Sequence, residues 1–293
     1  MRDETESSTT SAVSPALGSQ TYRERLASAG VAGLVSCVWV QEVLAAEPVY
    51  EHRTVPSGSV EISSALGAGV VRVAGPQRGP VVELLAPATT VVGVRFRPGV
   101  AYAILGLPAS ELVDLDVDID RVWGRSSKAL GQRLAEAASP EDAATLLERE
   151  IVARSIAGPG HDALVVAAVS GLQPWRGASV GDVTAELFIS ARQLHRRFVA
   201  ALGYGPKTLQ RILRFQAFLA LSHAHAGDGS LTRLAAAAGY ADQAHMSREC
   251  SRLAGLTPSA FLEAMHRSCD ASHDHAASFA LSQELLGKHA RSS

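Results

Sequence analysis

Two clusters of side chains in the C-terminal third have the chemistry to read base edges. Arg192, His195 and Arg196 form one, and Gln243, His245 and Arg248 form the other. Arg pairs twice with the O6 and N7 edge of guanine, and Gln twice with the N6 and N7 edge of adenine, both in the major groove. Lys207, Arg211, Arg214 and Arg252 lie between the clusters and just beyond them. Their charge suits phosphate contacts, which position a protein without reading sequence. In the front half, Arg95 and Arg97 alternate with Val94 and Phe96. On a strand the two arginines share one face. Turned inward they would clamp an anionic effector; turned outward they would only be solvated.

The elements that must carry the base-reading side chains form an internal repeat with an offset of 52 residues. Leu194 matches Met246, Phe198 faces Cys250, Gly203 matches Gly255 and Pro206 matches Pro258. Each copy reads as a short helix opened by Ser179 or Ser230, a tight turn, and a second helix, which is the helix-turn-helix pattern. Ser190 and Asp242 are the expected N-caps of the second helices. Leu194, Phe198 and Ala201 fall at i, i+4 and i+7 and predict a buried stripe, which leaves the first cluster on the polar face. Met246, Cys250 and Leu253 do the same for the second. A helix from Pro206 to about Ala226 joins the copies. At 1.5 Å per residue it spans about 30 Å, near the ~34 Å between successive major grooves on one face of DNA.

Ahead of the repeat the pattern changes. Leu34–Gln41, Gly69–Val73, Val81–Leu85 and Thr90–Phe96 are short Val-rich runs separated by turn residues. They predict a small β-barrel or sandwich. Residues 99–107 and 126–157 read as helical, and Gly158-Pro159-Gly160 breaks the pattern. The expected fold class is α+β in two domains. Residues 1–18 are a disordered lead-in, 19–158 a β-rich domain for effector binding or dimerisation, 159–267 an all-α domain of two helix-turn-helix units on a linker helix, and 268–293 a flexible tail.

Whole-chain charge at first argues against a nucleic-acid partner, because the 293 residues sum to −2. Residues 174–268, however, hold 11 Lys and Arg against 6 Asp and Glu, a balance of +5, and the remainder carries −7. A basic block of this kind can displace phosphate counterions. At 47% hydrophobic the chain is too apolar for wholesale disorder. No apolar run reaches the ~18 residues of a membrane span, and residues 1–20 lack the apolar stretch of a signal peptide. Three cysteines give no disulfide framework. A cytoplasmic protein is expected.

Other chemistries find little support. A cupin-type metal site needs clustered ligands, and His52 is the sole histidine before the boundary. Asp114, Asp116, Asp118 and Asp120 alternate as in a calcium loop, but Ile119 and Arg125 stand where that loop needs Gly and Glu. They read as a strand face or turn. Cys269, His273 and His275 lack a fourth zinc ligand, and His223 and His225 do not face each other on a helix. Gly67-Ala68-Gly69 lacks the Lys of a phosphate loop and reads as a hairpin turn. No Gly-x-Ser-x-Gly elbow is present. No enzyme activity, metal or cofactor is expected.

At residues 189–216 (ISARQLHRRFVAALGYGPKTLQRILRFQ) and 235–261 (AAAAGYADQAHMSRECSRLAGLTPSAF) the chain resembles the AraC/XylS family of transcription regulators. The resemblance covers about 161–267. It implies two helix-turn-helix units, sequence-specific DNA binding and control of transcription. It also implies base contacts from Arg192, His195 and Arg196 and from Gln243, His245 and Arg248. Cys250 departs from the family, which usually has Phe there, so core volume is lost. The front domain is similar to an N-terminal domain of undefined function in a subgroup of these regulators. Ser57-Gly58-Ser59-Val60-Glu61 departs from that subgroup's Asp-Gly-Cys pattern, so no role is carried over. The reading is a regulator contacting two adjacent major-groove segments, with small-molecule control through the front domain. Its expected partners are double-stranded DNA, an effector and RNA polymerase, as monomer or homodimer. The alternative is a ligand sensor or enzyme whose helical block serves as a protein-interaction module.

Overall fold

The computed structural model describes residues 20–45, 49–224, 230–268 and 273–274. The lead-in and nearly all of the tail, with Cys269 and His275, lie outside the described residues, as does His225.

Valine alternation builds the N-terminal domain. β1 (Gln20–Arg25), β2 (Val35–Val43), β4 (Glu61–Ala65), β5 (Val71–Ala74), β7 (Thr90–Phe96) and β8 (Asp116–Asp118) join one sheet, with β9 (His273–Asp274) beside β1. The strand order is β8-β5-β4-β7-β2-β1-β9. β3 (Tyr50–Thr54) and β6 (Val81–Leu85) form a separate two-stranded sheet. Among the described residues the large sheet is open, with β8 and β9 at its edges. The sandwich expectation fits this pair of sheets and the closed barrel does not. Gly67-Ala68-Gly69 does turn the β4–β5 hairpin, where Ile62 stands opposite Val73.

One face of the large sheet buries Ile62, Val73, Val92, Val94 and Phe96 completely. Four helices cover or flank it: α1 (Ala101–Leu105), α2 (Asp120–Trp123), α3 (Lys128–Ala135) and α4 (Pro140–Ala157). Ser139 caps α4 by accepting from the Asp142 N–H, and Pro140 fills the first turn, where its missing N–H costs nothing. The α4 stripe Ala143, Ala144, Leu147 and Ile151 joins that core. At the sheet's edge Arg25 reaches the buried Glu148 carboxylate at 2.8 Å, and the Ser28 N–H donates to the same group at 2.7 Å. Burial pushes this carboxyl up, but the guanidinium and the two Ser28 contacts outweigh it and hold it below its usual range.

The C-terminal part is helical throughout. It comprises α5 (Ala163–Gly171), α6 (Val180–Glu186), α7 (Ala191–Leu202), α8 (Pro206–Ala224), α9 (Leu231–Ala237), α10 (Gln243–Ala254) and α11 (Pro258–Ser268). One core gathers Leu194, Phe198, Phe215, Phe218, Met246 and Phe261. Cys250 sits fully buried within it, and burial pushes its thiol up to about 12. The α8 rod is 19 residues long, or about 29 Å at 1.5 Å per residue.

Candidate nucleic-acid interface

The first unit is set by reciprocal caps. At α6, Ser179 accepts from the Asp182 N–H while Asp182 accepts from the Ser179 N–H. At α7, Ser190 and Gln193 make the same exchange. Such capping boxes satisfy N–H groups that a helix start otherwise leaves unpaired. With its start fixed, α7 turns Leu194, Phe198 and Ala201 into the core. Arg192, His195 and Arg196 are left exposed on the other side. His195 lies over the Gly205 backbone: a β-carbon built on Gly205 would fall 2.6 Å from the ring.

The second unit repeats the plan with different partners. Asp242 caps α10 by accepting from the His245 N–H at 2.6 Å, whereas Ser230 opens α9 without a side-chain cap. Met246, Cys250 and Leu253 face the core. Gln243 is exposed, and its side-chain oxygen accepts from Thr232 Oγ1 at 2.9 Å, which ties the two helices together. His245 is half-buried, edge-on to the Tyr240 ring at 5.3 Å. Arg248 and Arg252 are exposed one turn apart.

The phosphate candidates divide. Lys207 is exposed at the start of α8. Arg211 is half-buried and pairs with Glu249 at 2.5 Å, which straps the linker helix to α10. Arg214 is half-buried over the Tyr240 ring at 5.9 Å, with its Nε buried and without a hydrogen-bond partner. His195 of α7 and Arg252 of α10 border one open cleft of about 350 Å³, with Arg211 also lining it. Of the base-reading candidates His195 alone lines this cleft, which Arg78 of the front domain also borders.

Residues 183–264 match the family described as a helix-turn-helix domain, a span from α6 into α11. This domain is of the AraC type. Residues 183–264 are a helix-turn-helix domain of that type. Residues 23–118 match a domain of unknown function (DUF6597), a span from β1 to β8. No curated protein sequence matches the chain. Structures of ToxT from Vibrio cholerae align with it loosely. An apo point variant shows 14% identity and TM-score 0.42 over 77% of this chain and 96% of that one. A wild-type form bound to an unsaturated fatty acid shows 12% and 0.40 over 86% and 96%. An alignment this loose supports no inference about a ligand.

The AraC-type domain is not isolated from the front domain. Both of its second helices end against it. α7 closes at Gly203 with φ 81° and α10 at Gly255 with φ 74°. A β-carbon on Gly203 would fall 2.4 Å from Val113 Cγ2 and 3.3 Å from Pro76 Cγ. One on Gly255 would fall 3.3 Å from Pro80 Cγ. A single loop of the front domain, 75–80, thus touches the ends of both helices. Arg53 adds a 3.4 Å bond to the Ala254 carbonyl at the negative end of the α10 dipole. Gln216 of α8 donates to the Pro56 carbonyl at 2.7 Å. On the same loop Arg78 is held by Asp114 at 2.7 Å and lines the cleft. Sequence reasoning missed this brace, because its contacts are van der Waals and backbone ones that leave no motif.

The effector candidates are engaged internally. Arg95 projects from β7 on the face opposite Val94 and Phe96 and is only 19% exposed. It pairs with Glu61 at 2.7 Å and with Glu24 at 3.3 Å, and lies 3.7 Å from the Cys37 sulfur. Burial lowers its proton affinity, but Glu61, Cys37, Tyr22 and Glu24 outweigh that and raise it well above its ordinary value. Arg97 lies beyond the strand and donates to the Ala32 carbonyl at 2.7 Å. The pair is neither an open anion clamp nor simply solvated. Glu24 escaped notice in the sequence, although Gln20, Tyr22 and Glu24 alternate at period two along β1 and face inward. Their polar side chains masked a buried strand.

Proposed function

We propose that the chain regulates transcription by setting α7 and α10 into two adjacent major-groove segments. The observation that carries this reading is the doubled unit: two capped helices, each with a buried inner stripe and with exposed arginines on its outer face, Arg192 and Arg196 on α7 and Arg248 on α10. Arg192, His195 and Arg196 read one segment, and Gln243 and Arg248 read the other, with His245 at the edge. Lys207 and Arg252 have no ion pair among the described residues and hold phosphates. Arg211 and Arg214 keep α8 and the second unit in place. The front domain acts on DNA affinity through loop 75–80, which links any ligand or partner of that domain to the spacing of the two helices.

The test is selection of bound sites from genomic DNA with the full chain, followed by Arg192→Ala and Arg248→Ala. Each substitution is expected to cost about 1–3 kcal/mol on the selected site and to relax preference in one segment only. An equal loss on selected and unrelated DNA would make the substituted arginine a phosphate contact and refute its base-reading role.

A further inference from the structure

The turns of the two helix-turn-helix units have the same hydrogen bonds and different residues at the same place. In the second, Gly239 donates to Ala236 O at 3.0 Å and Tyr240 to Ala235 O at 2.9 Å. In the first, Phe188 donates to Ala185 O at 3.2 Å and Ile189 to Thr184 O at 3.1 Å. Both are the closing pattern that puts the residue after the helix end in the left-handed region, a place for glycine. Gly239 has φ 83° and Phe188 has φ 52°. The residues that follow behave alike, with Ile189 partly buried against the core and Tyr240 buried in it.

A bulky side chain at positive φ is strained. Phe188 recovers nothing for that strain within the fold, because it is 95% exposed, the most exposed large apolar side chain among the described residues. Strain of this kind clusters at functional sites. The location indicates which one. Phe188 stands two residues before the Ser190 cap, at the start of the helix that presents Arg192 and Arg196. In helix-turn-helix docking the first residues of this helix enter the groove, so the turn ahead of it lies at the groove edge. Exposed Glu186 lies two residues before this ring and the exposed Arg192 and Arg196 lie on the helix that follows it; an apolar ring leading into a cationic helix suits a polyanion that also offers thymine methyl groups and deoxyribose edges.

We infer that Phe188 is a DNA contact of the first unit, packing on a thymine methyl or a deoxyribose at the outer edge of the first segment. This rests on the DNA-reading function proposed above. The experiment is Phe188→Gly in the full chain, with Phe188→Leu as companion, measured by thermal unfolding and by DNA titration across salt concentrations. Gly relieves the strained turn, so the unfolding midpoint rises by a few degrees. Affinity for the selected site falls about tenfold, and the salt slope stays unchanged because no counterion-displacing charge is lost. Leu retains part of the affinity without raising the midpoint. Phe188→Gly binding within twofold of wild type, while Arg248→Ala still loses affinity, would overturn this inference alone. A lowered midpoint would overturn it too, since Phe188 would then support the fold. A wild-type chain that selects no DNA would refute the DNA-reading function itself.

Discussion

At the scale of single residues, side chains that face outward do different work from those that hold them there. Arg248 is exposed, and its substitution by Ala is predicted to cost discrimination at one base position. Phe198 is fully buried beneath the same helix type. Phe198→Ala should cost about 3–5 kcal/mol of stability, read by denaturant unfolding. Ser190→Ala should cost about 1 kcal/mol through its cap. Glu148 makes a pH prediction. Its folded pKa is depressed, so its contribution is present above the ordinary carboxylate range and lost as pH falls through the lowered value. Glu148→Gln should therefore be less stable than wild type near neutrality, and the difference should shrink in acid. A constant difference across that window would show that charge is not what Glu148 contributes.

At the scale of elements, what could be read in advance followed from periodicity and caps. Leu194, Phe198 and Ala201 at helical spacing, with Ser190 ahead of them, located α7 within a residue or two, and Met246, Cys250 and Leu253 did so for α10. β7 was legible because Val92, Val94 and Phe96 alternate cleanly. β1 and β3 were not, since Gln20 and Glu24 are polar residues that are buried, and His52 one that is half-buried, through partners elsewhere in the chain. The same limit hid Arg95's partners, which come from β1 and β4. It hid Gly203's role as well: a glycine at a helix end is expected, but Val113 against it is not. Gly203→Ala should destabilise the chain by about 1–3 kcal/mol through positive φ and overlap. Val113→Ala should restore the overlap part, so a double-mutant cycle should show coupling. Strict additivity would mean that Val113 and Gly203 do not press on one another.

At the scale of the whole molecule, a basic helical block is joined to an acidic remainder. Residues 161–267 carry 11 Lys and Arg against 7 Asp and Glu, while the full chain sums to −2. The fragment should bind unrelated DNA more tightly than the full chain at low salt, and the two should converge as salt screens the acidic part. Anisotropy titrations across salt concentrations would show this, and superimposable curves would remove the charge argument. Loop 75–80 meets both helix ends at once, the contact through which the proposed control by the front domain would act.

Base preference measured over a randomised DNA library tests whether one chain reads two segments. Two blocks of preference are expected with centres about 10–10.5 base pairs apart, of which Arg248→Ala weakens one by losing preference at one base position and leaves the other unchanged. A single block, or two that Arg248→Ala leaves untouched, would contradict the two-segment reading.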